Sequence, residues 1–213
     1  MTISKYFGIA VTNTRFNLRI ADFVFSQKNN PLYRFEYVIL GSNQILNKMA
    51  NITLGGNPAE TIGELPALGT TAPNFTLTAT DFASKELSDY EGTRKILNIF
   101  PSVDTGICAT SARKFNEESS KLHNTKVLCI SRDLPFAQAR FCSAEGIENV
   151  EMLSDFKNGD FGRDYGLEIT KSKFTGLLSR VVMVLDENNK VLYTEQVPEI
   201  GQEPNYQAAI NAL

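Results

Sequence analysis

Cys108 follows Pro101 by seven residues, and the stretch between them, Ser102-Val103-Asp104-Thr105-Gly106-Ile107, separates an apolar run from an amphipathic one. A cysteine at such a junction can be a nucleophile. The first-turn N–H groups of a helix have no intrahelical partner and the macrodipole adds partial positive charge there, so a thiolate is stabilised, and the thiolate is the reactive form. The upstream run, Lys95 to Phe100, carries residues that fit a buried pleated surface, and Pro101 cannot donate to a continuing ladder, so a strand ends there. Downstream, Cys108, Ala112, Phe115, Ser119 and Leu122 recur at helical spacing, while Arg113, Lys114, Glu117, Glu118 and Lys121 take the opposite side. Cys108 thus falls in the first turn of a helix, on the face toward the protein. By spacing alone two readings stand, a reactive thiolate and a small buried apolar residue, as free cysteines commonly are.

Pro-Ser-x-Asp-Thr-x-x-Cys, here Pro101 to Cys108, resembles the peroxidatic motif of the peroxiredoxins. The chain from about Met49 to Leu213 resembles their thiol-peroxidase subfamily, through Asn98 to Ser102, Arg113-Lys114-Phe115-Asn116, Leu128 to Ser131, Asp133 to Gln138, Arg140-Phe141-Cys142 and Ala144-Glu145-Gly146. The resemblance implies a thiol-dependent peroxidase that reduces hydrogen peroxide and organic hydroperoxides. Cys108 would be its nucleophile, passing through a sulfenic acid, and Pro101 would shield the thiolate from water. Thr105 and Arg180 would bind the peroxide and assist catalysis. Cys142 would be the resolving cysteine, closing a Cys108–Cys142 disulfide that thioredoxin reduces. The resemblance further implies a homodimer and no cofactor or metal.

Read without the resemblance, several of these residues have plainer roles. Cys142, 34 positions after Cys108, is a packed helix residue beside Phe141. Arg180 opens the strand Val181-Val182-Met183-Val184 and would snorkel at its end. Cys129 lies inside the apolar Val127-Leu128-Cys129-Ile130, where burial raises a thiol's pKa and silences it, so it is structural. His123, the single histidine, sits at a helix end in Lys121-Leu122-His123-Asn124 and is a solvated residue; Arg113 and Arg140 fall on a solvated face, Arg140 where a reductant can dock. No Cys-x-x-Cys is present, which disfavours a zinc site and a dithiol oxidoreductase. A non-catalytic thioredoxin-like binding or sensor module is the competing class, and the presence of Thr105 and Arg180 with both cysteines argues against it.

The 213 residues are enough for one domain and an appendage, and 42% hydrophobic with 21% charged residues is the composition of a globular chain. A net charge of −3 argues against a nucleic-acid partner, and three cysteines do not build a disulfide scaffold. A cytoplasmic location is therefore expected, with a periplasmic one left open. Residues 1–48 differ from the rest, with six Lys/Arg against Asp22 and Glu36, eight aromatics, and no apolar run long enough for a secretory or membrane-spanning segment. They are expected to be an over-extended reading frame or a lineage-specific arm, poorly ordered and dispensable, and residues 49–213 to form the domain. Within it, Ile52 to Ile62 reads as a hairpin about Gly55-Gly56. Strands follow at Phe75–Thr78, Lys95–Phe100, Lys126–Ile130 and Val150–Leu153. Helices alternate with them at Cys108–Leu122, Pro135–Ala144 and Phe161–Gly166. A terminal hairpin, Arg180–Leu185 with Val191–Val197, and a helix from Asn205 complete the chain. The alternation predicts an α/β sandwich with a mixed central sheet, which the resemblance sharpens to a thioredoxin-like fold with an added N-terminal β-hairpin.

Overall fold

The computed structural model describes residues 51–213, so the expectations for residues 1–48 lie outside the described residues. The chain opens on two antiparallel strands, β1 (Asn51–Leu54) and β2 (Asn57–Thr61), joined by Gly55 and Gly56 at φ +61° and +77°. Both turn positions need positive φ, which glycine adopts without a Cβ penalty. A short strand, β8 (Ile169–Lys171), completes this small sheet beside β2.

The remaining strands are β3 (Thr76–Ala79), β4 (Ser84–Glu86), β5 (Arg94–Ile99), β6 (Thr125–Ser131), β7 (Glu151–Ser154), β9 (Val181–Leu185) and β10 (Val191–Gln196). They form one sheet in the order β10-β9-β5-β6-β7-β3-β4, with β5, β6 and β7 parallel and the outer pairs antiparallel. This is the mixed sheet expected from the sequence. The helices are α1 (Gly106–Ser119), α2 (Pro135–Glu145), α3 (Asp160–Asp164) and α4 (Tyr206–Asn211).

Successive side chains of a strand face opposite sides, and β5 separates two cores accordingly. Ile96 and Phe100 face α1, α2 and α4, where they meet Ala112, Phe115, Phe141 and Ala209. Leu97 and Ile99 face the other side, with Leu87 and Tyr90 of a 3-10 turn and Phe161 and Tyr165 around α3. Each such buried side chain contributes about 1.5–3 kcal/mol relative to its exposed state.

The structure departs from the sequence expectation in three local ways. Helix α1 stops at Ser119, so Leu122 packs from the following turn. Leu87–Tyr90, where the sequence predicts no element, forms a 3-10 turn that buries Leu87 and Tyr90. β4 and β8 carry no alternating apolar pattern and owe their pairing to neighbouring strands, which is why their composition did not mark them.

Candidate active site

The β5–α1 junction forms as the sequence demands. Phe100 N–H donates to Ile130 O at 3.1 Å as the last ladder bond, and the buried Pro101 then ends the strand. Thr105 is the N-cap of α1 in an extended conformation, and its carbonyl accepts from Ala109 N–H at 3.0 Å. Its side chain makes no capping bond. The hydroxyl turns inward and lies 2.7 Å from Cys108 Sγ and 3.2 Å from Ser102 O. With a single proton, it donates to a thiolate when one is present.

Cys108 is fully buried among Phe100, Val103, Ala112 and Phe115. Arg180, far away in sequence and only 2% exposed, brings Nη2 to 3.3 Å from the same sulfur. Its Nε donates to Ile200 O at 2.7 Å, and Nη1 has no protein partner. Among the described residues no carboxylate lies within ion-pair distance of this guanidinium. A buried permanent cation needs a counter-charge, and the Cys108 sulfur at 3.3 Å is the group beside it that can supply one. Glu203 also acts on Arg180, but its carboxyl is held below its ordinary pKa chiefly by hydrogen bonds from Lys114 and Tyr206.

Thr105, Cys108 and Arg180 therefore come together at one site, and the buried Pro101 ends the strand that leads into it. Cys142 does not join them. It is half-buried in α2 against the same core, all three cysteines are free thiols, and burial pushes the Cys142 thiol up. Cys129 is fully buried in β6, accepts a hydrogen bond from Asn98 Nδ2 at 3.4 Å, and is pushed up to about 12 by burial. His123 is exposed in the turn after α1, and Arg140 is exposed and pairs with Asp104 at 3.2 Å. Arg113 pairs with Glu145 across α1 and α2 at 2.7 Å. Among the described residues no cluster of His, Cys, Asp or Glu is arranged to hold a metal, and no helix is long and apolar enough to cross a membrane.

The Redoxin family profile matches residues 67–210. A thiol peroxidase of Corynebacterium glutamicum is 53% identical over 165 residues, covering 78% of this chain and 99% of that protein, and one from Mycobacterium tuberculosis matches to the same extent. This chain belongs to the peroxiredoxins, in their thiol peroxidase branch. The crystal structure of a peroxiredoxin-like protein from Aquifex aeolicus superposes with a TM-score of 0.72 at 36% identity, covering 76% of this chain and 95% of that one. The peroxiredoxin fold is thus the thioredoxin-like sandwich, and the activity is thiol-dependent reduction of peroxide.

One residue of this peroxiredoxin site escaped the sequence reading. Asp133, just before α2, accepts from Ser102 Oγ at 2.7 Å through one oxygen, and through the other from Val103 N–H at 2.8 Å and Ser131 Oγ at 2.7 Å. It fastens the 102–105 loop to the end of β6. Its sequence signal was an acid ahead of Leu134-Pro135, the start of a helix, which ordinarily marks a helix-terminal residue and nothing more.

Proposed function

We propose that this peroxiredoxin reduces hydrogen peroxide and organic hydroperoxides through Cys108, resolves the product with Cys142, and is recycled by thioredoxin. The observation that carries this reading is the convergence of Thr105 Oγ1 and Arg180 Nη2 on Cys108 Sγ, with Arg180 Nη1 left free beside them. The Cys108 thiolate attacks one peroxide oxygen; the S–O bond forms as the O–O bond breaks, and the electron pair leaves with the distal oxygen, which takes a proton and departs as water or alcohol. Arg180 and Thr105 donate to the oxygens as charge builds on them, and they hold the peroxide in line with the sulfur. Pro101 closes the thiolate off from solvent.

Cys108 is then a sulfenic acid. Attack by the Cys142 thiol on its sulfur expels water and forms the disulfide. A disulfide needs Cα atoms about 4.4–6.8 Å apart, and on this reading the α1 and α2 ends rearrange to bring the two thiols together. In its packed position Cys142 is a poor nucleophile, because burial raises its pKa. Local unwinding would expose it and lower that pKa together, so opening and resolution are one event. A thioredoxin dithiol would then restore both thiols by exchange.

The test is a non-reducing peptide map after one equivalent of organic hydroperoxide. A Cys108–Cys142 linkage is expected. Over-oxidised Cys108 with free Cys142 would make this a one-cysteine peroxidase, and unmodified protein would defeat the reading. Cys108→Ser should abolish turnover, whereas Cys142→Ser should allow one turnover and no thioredoxin-supported cycling.

A further inference from the structure

The side chain that faces Cys108 from across the fold is aimed by a single backbone atom. Arg180 Nε donates to Ile200 O at 2.7 Å, and this bond sets the plane from which Nη2 reaches the sulfur. Ile200 lies in the irregular segment that follows β10, where no regular ladder fixes a carbonyl direction. Something else must hold it.

The N-terminal hairpin does so. Thr53 of β1 bonds the segment on both sides of Glu199, donating from N–H to Pro198 O at 2.7 Å and accepting from Ile200 N–H at 2.8 Å. The Ile200 side chain is buried with Ile52, Leu54, Ala59 and Ile169. The Glu199 carboxylate grips four donors: Thr53 Oγ1 at 2.8 Å, and the N–H groups of Gly55, Gly56 and Gly201, each at 2.9 Å. These hydrogen bonds hold its pKa down at about 2, so it is an anion across the working pH range. Its grip joins the tip of the β1–β2 turn to the residues flanking the Ile200 peptide.

We propose that Glu199 is a positioning residue for peroxide reduction: it clamps the hairpin turn to the 198–201 segment and so fixes the Ile200 carbonyl that aims Arg180 at Cys108. The added hairpin is on this account part of the catalytic support. The argument rests on the role given to Arg180 above. Glutamine at position 199 would turn an N–H₂ toward backbone donors, breaking half of the grip at nearly constant size.

A double-mutant cycle on the full-length protein tests this, with rapid-mixing measurement of the second-order rate constant for hydrogen peroxide. Glu199→Gln is expected to lower that constant about tenfold in the wild-type background, a fraction of the hundredfold that an ångström of misplacement can cost. In an Arg180→Gln background it should change nothing, because coupled residues lose their effect together. Thr53→Val, which removes one donor of the four, should show a smaller loss with the same dependence on Arg180, and it decides the matter if Glu199→Gln fails to fold. Equal losses in both backgrounds, or an undiminished rate in Glu199→Gln, would overturn the proposal. An undiminished rate in Arg180→Gln alone would overturn the role of Arg180 and the proposal with it.

Discussion

We propose that Cys108 is made reactive by neighbours that Cys129 lacks. Around Cys108 stand a hydroxyl at 2.7 Å and a guanidinium at 3.3 Å; around Cys129 stand apolar side chains and one amide. Removing the hydroxyl in Thr105→Val should cut the peroxide rate constant about a hundredfold, the scale of losing one aimed donor to a developing oxyanion. Arg180→Lys should retain more activity than Arg180→Gln but less than wild type, because an ammonium keeps the charge and loses the fork. Stopped-flow rates with hydrogen peroxide check both, and wild-type speed in Thr105→Val would remove the hydroxyl from the reaction. Cys129, pushed up to about 12 by burial, should escape iodoacetamide at pH 8 in native protein and react on unfolding. The sign of the linkage follows. Below pH 9 the thiol is neutral in both states and stability is unaffected. Above it the unfolded thiol ionises first, so the fold loses stability as pH rises towards about 12. Urea titrations at pH 8 and 10.5 should therefore show a shallower alkaline loss for Cys129→Ala than for wild type. The buried Tyr165, also raised by burial, contributes equally to both proteins.

At the scale of elements, the site is a junction held from behind. Strand β5 stops at Pro101, α1 begins at Gly106, and the loop between would be loose without Asp133, which ties Ser102 and Val103 to Ser131. Asp133→Ala leaves three donors without their acceptor. It should lower the peroxide rate constant by about ten- to a hundredfold through misplacement of Thr105 and Cys108, and circular dichroism should still show a folded protein. A normal rate would mean that the loop holds its shape unaided. The first turn of α1 must also open in each cycle if Cys142 resolves Cys108. That opening would break the bonds of Ser111 Oγ to Cys108 O and of Thr110 Oγ1 to Gly106 O, each 2.9 Å, and the Thr105 and Arg180 contacts on Cys108.

For the whole molecule, two sheets divide the labour. The seven-stranded sheet brings α1, which follows β5 and carries Cys108, beside Arg180, which precedes β9, since β5 pairs directly with β9, Ile99 opposite Val181. The three-stranded sheet supports the segment after β10. Both belong to the described residues, and each has buried side chains of its own. We accordingly propose that protein comprising residues 49–213 folds, sediments as a homodimer, and reduces peroxide at the full-length rate. Sedimentation velocity and the same stopped-flow assay test this, and failure to fold would overturn it.

Much of this was legible in the residues. The apolar run ending at Pro101, the helical recurrence of Cys108, Ala112 and Phe115, and the Gly55-Gly56 turn each encode a local structure, because strand, helix and turn preferences act over a few neighbours. The motif from Pro101 to Cys108 pointed to Cys108 as the candidate nucleophile, and the apolar strand around Cys129 pointed to burial, which the structure shows. What the sequence left open were partners remote along the chain. Arg180 read by itself was a snorkelling strand end, and only the antiparallel pairing of β9 with β5 turns it into a buried cation on Cys108. Asp133 lay within a block of the resemblance without a role, and Glu199 within none; both bind backbone N–H groups, which every residue has and no sequence pattern records. The sequence determined which residue is the candidate to react, because reactivity begins with the chemistry of a side chain. The tertiary structure decided what aims at it, because direction in space is set by packing and by carbonyls such as that of Ile200.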